Sequence, residues 1–169
     1  MQSQKHKDQR VVVLIDTQNL YYSAKNLYKS KVNFGAVLKL AISDRKLIRA
    51  FAYVIQTKTG EEKPFFEALT ALGIETREKQ LQEFYGGAKK GDWDVGIVID
   101  GIRASASADV IILVSGDGDF IPFIEFLKNQ GKRVEVIAFG RSTSGKVKEE
   151  ADEFIDLEAD VKKYLLKKI

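Results

Sequence analysis

Carboxylates follow two apolar runs of the sequence, and their number points to cation binding. The run VVVLID ends in Asp16 and is soon followed by Asn19, whereas the run VIILV is followed by Ser115, Asp117 and Asp119 in the segment SGDGDF. Carboxylates held close together repel one another, and a cation that neutralises them lets them share one geometry. Oxygen ligands without histidine or cysteine favour a hard ion, so we expect Mg²⁺ or Mn²⁺.

A further acidic pair, Asp92 and Asp94, follows the glycine-rich segment EFYGGAKKG at the start of a predicted helix. Helix N-termini favour anions by about 0.3–1 kcal/mol, so either residue could instead be an N-cap. Asp16 alone would also suit a turn, and Asp119 alone would suit a helix cap. A single metal site accounts for all of these acidic residues together, whereas the turn and cap roles explain them only one at a time.

The predicted elements indicate where these residues meet. Buried strands are predicted at residues 11–16, 50–56, 110–114 and 134–139, with a more exposed strand at 74–80. Helices are predicted at residues 20–30, 34–43, 61–73, 92–107 and 122–131, and a lysine-rich amphipathic helix is predicted to close the chain. Buried strands that alternate with helices indicate a mostly parallel sheet with helices on both faces. Ligands bind at the carboxyl ends of such strands, where the strand order reverses, so the acidic groups should share one sheet edge.

A hard cation at this edge indicates phosphate chemistry. Bound Mg²⁺ or Mn²⁺ polarises a phosphoryl oxygen, lowers the pKa of a water molecule and orients in-line attack. We expect Gly116 and Gly118 to permit a tight turn and to let a phosphodiester approach the backbone.

The composition excludes several other kinds of site. The 169 residues suit one domain. Cysteine is absent and the single histidine, His6, lies in a polar N-terminal segment, so thiolate metal sites and a Ser-His-Asp triad are disfavoured. Residues 1–9 are predicted to be a disordered polar arm. No apolar run approaches the ~20 residues of a membrane span and no signal peptide is evident, so we expect a cytoplasmic protein without membrane contact. The net charge of +3 is too small by itself to indicate nucleic-acid binding.

On a larger scale the sequence resembles a known family. The segments VVVLIDTQNL, KKGDWDVGIVIDGI, VIILVSGDGDFIPFIEFLK, VEVIAF and ADEFIDL occur in the order typical of NYN domains of the LabA-like group, across about residues 11–157. NYN domains belong to the PIN-like nuclease superfamily. The resemblance therefore implies an α/β fold, a PIN-like three-layer α/β/α sandwich with a mostly parallel central sheet, formed by residues 10–169 as a single domain. Active members are ribonucleases that depend on Mg²⁺ or Mn²⁺.

The resemblance also assigns roles to individual residues. Asp16, Asp94 and Asp117 would be metal ligands, and Asp119 would support them or bind a second ion. Asn19 would orient a ligand or a phosphate group. Together these side chains form the implied catalytic set.

Other residues would support this set from outside it, namely Ser115, Asp92 and Asp100. The segment K-G-D-W-D is longer than the K-G-x-D spacing usual in the family, so Asp92 competes with Asp94 for the role of ligand. Asp100 lies about 240° around a helix from Asp94, so the two side chains cannot point the same way. We therefore expect Asp100 to be structural or supporting.

Basic and aromatic residues near the acidic edge are candidates for holding RNA. Phosphate contacts position a strand without reading its sequence, and aromatic rings can stack on bases. The residues that we expect to contact RNA are Lys89, Lys90, Trp93, Arg141, Ser142, Ser144 and Lys146, and Tyr21, Tyr22 and Tyr85 are further stacking candidates. Each of them would also suit a solvated loop or a core contact.

Two functions are compatible with these features. The leading interpretation is a metal-dependent ribonuclease that hydrolyses single-stranded RNA with carboxylate-bound Mg²⁺ or Mn²⁺ and an activated water molecule. The alternative is a catalytically weak or inactive NYN module that binds RNA or a regulatory protein partner. An aspartyl-phosphate phosphatase is disfavoured because no threonine follows DGDF, and dinucleotide binding is disfavoured because no G-x-G-x-x-G follows VVVLID. A homodimer that packs through the terminal amphipathic helix is also compatible with the sequence.

Overall fold

A six-stranded sheet forms the centre of the computed structural model, which describes residues 5–56, 63–80, 82–83, 89–90 and 93–168. The strands are β1 (Arg10–Asp16), β2 (Ser30–Val32), β3 (Lys46–Gln56), β4 (Glu75–Gln80), β5 (Gln82–Glu83), β6 (Lys89–Lys90), β7 (Val110–Val114), β8 (Arg133–Ala138), β9 (Glu153–Asp156) and β10 (Leu165–Lys168). The helices are α1 (Thr17–Tyr28), α2 (Phe34–Ile42), α3 (Lys63–Ala71), α4 (Asp94–Ser105), α5 (Ile121–Asn129), α6 (Gly145–Glu150) and α7 (Val161–Tyr164). Short 3₁₀ turns lie at Gly118–Phe120, Gly140–Ser142 and Leu157–Asp160.

The order of the strands in this sheet is β4-β3-β1-β7-β8-β9, and all neighbouring pairs are parallel. The chain leaves the central strand β1 toward β3 and β4 on one side and later places β7, β8 and β9 on the other. The strand order thus reverses between β1 and β7, which is the point where sheets of this kind bind ligands. Ile15 pairs with Val114, so the two strands end at the same level.

The side chains of β1 alternate between two apolar cores. Val11, Val13 and Ile15 are fully buried in the core that includes α1 and α2, whereas Val12 and Leu14 are buried in the core that includes α4 and α5. Apolar side chains on both faces are typical of a strand covered by helices on each side. The predicted α/β fold, with a mostly parallel sheet between helical layers, is confirmed.

Polar residues define the starts of two helices in the first core. The side chain of Asn33 accepts a hydrogen bond from the Ala36 N–H at 3.1 Å and so caps α2. Asp16 caps α1 in the same way. Both α1 and α4 have 12 residues, and none of the described helices is long and apolar enough to cross a bilayer.

The end of the chain differs from the predicted lysine-rich helix. Only the single turn α7 is helical, and the next residues form β10, which pairs antiparallel with β2. Leu165 lies opposite Val32, and the Asn33 N–H donates to the Tyr164 carbonyl at 2.8 Å. The prediction was wrong because pairing with β2 satisfies backbone groups that sequence periodicity does not register. The terminal helix on which we based a homodimer contact is therefore absent from residues 165–168.

The structure describes residues 5–9 of the N-terminal segment, for which we predicted a disordered arm over residues 1–9. Within the described residues 5–9, the Lys5 ammonium lies 3.5 Å from a carboxylate oxygen of Glu153. The Gln9 carbonyl accepts a hydrogen bond from the Lys46 N–H at 3.0 Å, and its side chain accepts one from Arg45 at 3.2 Å. These residues are held against the sheet, and residues 1–4 lie outside the described part of the chain.

A buried ion pair near Gln9 joins Arg45, in the turn after α2, to Glu135 of β8. The Arg45 guanidinium donates to both carboxylate oxygens of Glu135 at 2.9 Å, and the two side chains are 1% and 0% exposed. Arg133 donates to the same carboxylate at 3.0 Å. Burial alone would raise the pKa of Glu135, but its hydrogen bonds and charge interactions with Arg45, together with the contact to Arg133, outweigh burial and lower the pKa. Ionisation of Glu135 therefore stabilises the fold above the ordinary glutamate pKa of about 4.3, and this contribution is lost as pH falls through the lower folded pKa.

We expect Glu135→Gln to reduce the free energy of unfolding by about 3–5 kcal/mol at pH 7, because it leaves the Arg45 charge buried without its partner. Glu75→Gln is the matched control, since Glu75 pairs with Arg49 at 2.8 Å on the surface and such pairs contribute about 0–1 kcal/mol. Urea denaturation measures both losses. The difference between wild type and Glu135→Gln should narrow as pH falls below about 4.3. Equal losses for the two variants at pH 7 would contradict this assignment.

Candidate functional site

The first turn of α1 is tied to the loop that follows β7. Asp16 is the N-cap of α1, where its Oδ1 accepts a hydrogen bond from the Asn19 N–H at 3.2 Å. The Asn19 Oδ1 in turn accepts a hydrogen bond from the Gly116 N–H at 3.0 Å. The ends of the two central strands are thereby held together by side chains of adjacent loops.

A buried hydroxyl closes this set of contacts. Ser115 is fully buried, and its Oγ donates to Asp16 Oδ2 at 2.9 Å and accepts from the Asp117 N–H at 3.2 Å. We call Asp16, Asn19, Ser115, Gly116 and Asp117 the switch-point ring. It orients both oxygens of Asp16 and fixes the backbone from which Asp117 projects. The supporting role of Ser115 stays a prediction.

Three carboxylates converge beside the switch-point ring. Asp94, Asp117 and Asp119 each contribute one oxygen, and these oxygens lie within 4.8 Å of one another. We call these residues the acidic group. Asp16 is not a member of it, although it lines the same cleft. The donors are all carboxylate oxygens, which fit a hard divalent cation such as Mg²⁺ or Mn²⁺.

Each member of the acidic group is placed by the start of a helical segment. Asp117 caps the 3₁₀ turn Gly118–Phe120, because its Oδ1 accepts a hydrogen bond from the Asp119 N–H at 2.9 Å. Asp119 does not cap α5, whose N-cap is Phe120 and has no side-chain capping hydrogen bond. Asp94 is the first residue of α4 and follows the N-cap Trp93, so it is not itself an N-cap. A helix N-terminus favours a carboxylate there.

Trp93 fixes the start of α4. Its Nε1–H donates to the Val54 carbonyl at 2.9 Å, and its ring centroid lies 5.5 Å from that of Tyr53. The Lys79 ammonium lies 5.0 Å from the centroid of the Trp93 ring. Trp93 also packs against Gly96, where an added Cβ would lie 2.5 Å from the ring. The residue that we expected to contact RNA lines the cleft but is held mainly by protein contacts.

Asp100 lies apart from the cleft. Its Oδ2 accepts hydrogen bonds from the Tyr53 hydroxyl at 2.8 Å and from Arg77 at 3.2 Å. Burial, followed by the interaction with Asp100, raises the pKa of Tyr53, so the hydroxyl remains a neutral donor. Asp100 is thus linked to the site through Tyr53, whose ring contacts that of Trp93.

A cleft of about 470 Å³ opens from the acidic group along α1. Asp16 and the acidic group form one part of its lining, and the helix contributes Gln18, Tyr22 and Asn26. Ser142 also lines the cleft, and its hydroxyl is hydrogen-bonded to the Ser23 hydroxyl at 2.8 Å. None of the described residues that line the cleft is basic. The sequence analysis missed Gln18 and Asn26 as site residues. They lie four residues before and four residues after Tyr22, a spacing that places all three on one face of a helix.

The glycines after β7 do not form the tight turn that we expected of them, and Gly116 is packed against another loop. Neither Gly116 nor Gly118 adopts a positive φ, so the backbone does not require glycine for a tight turn there. A Cβ on Gly116 would lie 2.4 Å from Thr143 Oγ1 and 3.1 Å from Thr143 Cα, so Thr143 fills the space that we had assigned to a phosphodiester. A Cβ on Gly118 would meet Ser144 at an ordinary 3.4 Å.

The loop that carries Thr143, residues 140–144, is anchored by acidic residues that follow β9 or end it. Arg141 binds Glu158 through its backbone N–H and its Nε, both at 2.8 Å, and the Tyr28 hydroxyl donates to the same carboxylate. The Gly140 N–H donates to Asp156 at 2.9 Å. Burial alone would raise the pKa of Glu158, but Tyr28 and Arg141 outweigh burial and lower it.

The remaining RNA-contact predictions are spread around the cleft rather than inside it. Arg141 pairs with Glu158 and does not line the cleft, and Lys146 is exposed on α6. The Ser144 side chain lies beside Gly118. Lys89 and Lys90 are the two residues of β6, but the structure describes only their backbone. Asp92 and Tyr85 lie outside the described part of the chain.

Comparison with known proteins identifies the fold. The family model of the NYN domain matches residues 10–158, nearly the whole chain. The chain belongs to the NYN domain family. NYN domains form part of the PIN-like nuclease superfamily, so the predicted resemblance is confirmed.

Two relatives are similar to this protein over most of the chain. The protein is 27% identical to the low amplitude and bright protein LabA of Synechococcus elongatus, in an alignment that covers 94% of this chain and 88% of LabA. Its structure is similar to the crystal structure of VPA0982, a protein of unknown function from Vibrio parahaemolyticus RIMD 2210633, with a TM-score of 0.86 and 33% identity. That match covers 98% of this chain and 100% of the other.

We expect Gly116→Ala to destabilise the NYN domain by roughly 1–3 kcal/mol, because the new methyl group would lie 2.4 Å from Thr143 Oγ1 and would crowd Thr143 Cα at 3.1 Å. Gly118→Ala is the matched control and should change stability by no more than about 0.5 kcal/mol, since its methyl group makes an ordinary contact. Urea denaturation of both variants tests this difference. A Gly116→Ala protein as stable as wild type would show that Thr143 does not constrain this position.

Proposed function

We propose that this NYN protein is a metal-dependent ribonuclease that hydrolyses RNA phosphodiester bonds. The observation that carries the proposal is the convergence of Asp94, Asp117 and Asp119 at the point where the strand order of the sheet reverses. A PIN-like nuclease relationship and an oxygen-only donor set support the same chemistry.

The acidic group would hold the cation, and Mg²⁺ or Mn²⁺ fits its donors. Asp16 remains a proposed ligand, because its carboxylate lines the same cleft as the three members of the acidic group. When bound, the cation would polarise a phosphoryl oxygen and lower the pKa of the attacking water.

The protein's own contribution is the orientation of these carboxylates. Ser115 and the Asn19 N–H fix the two oxygens of Asp16, and the Asp119 N–H fixes one oxygen of Asp117. Asn19 binds the Gly116 N–H and keeps the loop after β7 beside α1. Preorganised groups of this kind avoid the energetic cost of reorganisation during the reaction.

RNA would be held by residues at the cleft and around it. Ser142 and Trp93 line the cleft and are proposed to contact the nucleotides nearest the acidic group. Lys89, Lys90, Arg141, Ser144 and Lys146 are proposed to contact the strand farther along. Asp92 and Asp100 are proposed to support the ligands indirectly.

A second candidate is an NYN module that binds RNA or a regulatory protein with little turnover. It is favoured by the absence of basic residues among the described residues of the cleft lining, and by the pairing of Arg141 with Glu158. Phosphate contacts in the cleft would then depend on the cation alone.

Cleavage of a labelled single-stranded RNA in Mn²⁺ or Mg²⁺ tests the proposed activity. We expect EDTA to abolish cleavage and Asp117→Asn to slow it roughly 100-fold or more, because the variant loses a proposed ligand of the cation that stabilises charge in the transition state. Glu125→Gln is the control, since Glu125 is an exposed acidic residue of α5 outside the cleft.

Cleavage that survives both EDTA and Asp117→Asn would overturn the proposed mechanism. Intact RNA in the presence of wild-type protein, with RNA or protein binding retained, would favour the binding module instead.

Ser115→Ala tests whether the buried hydroxyl positions the site. We expect Mn²⁺ affinity, measured by calorimetry, to fall about 10–100-fold, as is typical when a group that orients metal ligands is removed. Ser105→Ala is the matched control, because the Ser105 hydroxyl is likewise buried but donates only to the Ile102 carbonyl within α4. Equal Mn²⁺ affinity in the two variants would show that the Ser115 hydroxyl does not position the metal ligands.

A further inference from the structure

The cleft has two chemically different parts. The acidic group and Asp16 supply only carboxylates, whereas α1 supplies amides and a phenol from Gln18, Tyr22 and Asn26. We call these three α1 residues the α1 wall. They follow one another at intervals of four residues, so they lie along one face of the helix.

We infer that the α1 wall is a subsite for an unpaired nucleobase of the strand whose phosphate lies at the acidic group. The inference rests on the proposed function for RNA as the ligand. It adds that the cleft itself recognises a base and thereby selects single-stranded RNA.

The charge of the cleft indicates which part of a nucleotide the wall contacts. The described lining residues include Asp16 and the acidic group, and none of them is basic. A phosphate group placed along α1 would therefore face negative charge without a cationic side chain to balance it. A neutral base placed along α1 avoids this repulsion.

Tyr22 provides the face on which a base can stack. It is 53% exposed although it lines the cleft, and its ring meets that of Tyr21 edge-to-face at 5.3 Å. The other aromatic residue of the described lining, Trp93, already contacts Tyr53 and Lys79. Tyr22 is therefore the ring with surface available for a ligand.

The neighbouring amides provide the complementary polar groups. Asn and Gln each carry a donor and an acceptor on one planar group, which matches the edge of a base. Asn26 and Gln18 flank Tyr22 one turn away on either side. A base stacked on Tyr22 would thus have an amide within the same helix face to bind its edge.

This arrangement excludes a duplex. Bases in an A-form helix are stacked on one another and paired, so their faces and Watson–Crick edges are occupied. A cleft of about 470 Å³ is of the size that accepts a small ligand, and it would admit an unstacked nucleotide.

The test compares Tyr22→Ala with Tyr21→Ala, both in an Asp117→Asn background that is expected to keep the RNA intact. Tyr21 is a matched control because it is the neighbouring exposed tyrosine of α1 and does not line the cleft. The probes are a labelled single-stranded RNA, a blunt RNA duplex, and a strand of equal length built from stable abasic units. Fluorescence anisotropy gives the affinity, and thermal unfolding checks that each variant is folded.

We expect Tyr22→Ala to bind the single-stranded RNA roughly 5- to 150-fold more weakly, the range for removal of one base–aromatic stack, whereas Tyr21→Ala stays close to its parent. The abasic strand should bind the parent weakly and should not distinguish the two variants. Plots of log affinity against log salt concentration should be parallel for the parent and Tyr22→Ala, because no phosphate contact is removed. Asn26→Ala should alter the preference among four homopolymeric RNAs, which a purely structural role would not do.

Equal affinity of Tyr22→Ala and Tyr21→Ala, or an abasic strand bound as tightly as RNA, would overturn the inference. A duplex bound as well as the single strand would do the same. Tyr22-dependent binding in a wild-type protein that does not cleave RNA would support the subsite and overturn the proposed catalysis. Absence of RNA binding altogether, with binding of a protein partner, would overturn both.

Discussion

The hydroxyl of Ser115 is the contact on which the geometry of the site depends. It is bonded to Asp16 on one central strand and to the backbone of Asp117 beyond the other. Parallel strands bring their ends together, but they do not by themselves set the orientation of side chains at those ends. The serine sets it, because a fully buried hydroxyl must satisfy its hydrogen bonds in place. The carboxylates are consequently oriented before any ligand arrives.

The rest of the fold keeps this contact in register from two directions. On one side, Trp93 anchors α4 to β3 and thereby sets the position of Asp94. On the other side, the hydrogen bond from Arg141 to Glu158 anchors the loop of residues 140–144, in which Thr143 packs against Gly116. The acidic group therefore combines a strand-end loop with a helix start, and each is fixed by a neighbour that is not itself a member of the acidic group. Small changes in those neighbours would move the carboxylates without touching them.

Sequence patterns predicted the parts of the fold that depend on local chemistry. The run VVVLI is apolar at every position because both faces of β1 are buried, and this pattern predicts a central parallel strand. Asp117 and Asp94 were predicted to lie near each other because strand ends and ligand sites coincide in such sheets, and the structure places them together. Contacts between distant segments were not predictable. Arg45 and Glu135 are ordinary charged residues in sequence, and only the fold buries them as a pair. Likewise, the lysine-rich pattern at the end of the chain suits a helix, and its pairing with β2 follows from a partner more than a hundred residues away.

The two edges of the six-stranded sheet have a consequence for self-association. An edge strand exposes unpaired backbone groups that can join the sheet of another molecule, and long apolar edges promote aggregation. Here one edge is β4, whose sequence ETREKQ is polar throughout, and the other is β9, which has only four residues. The charged side chains of β4 disfavour pairing at the first edge, and the short length of β9 disfavours pairing at the second. We therefore expect both edges to disfavour growth of this parallel sheet, strand by strand, into larger assemblies.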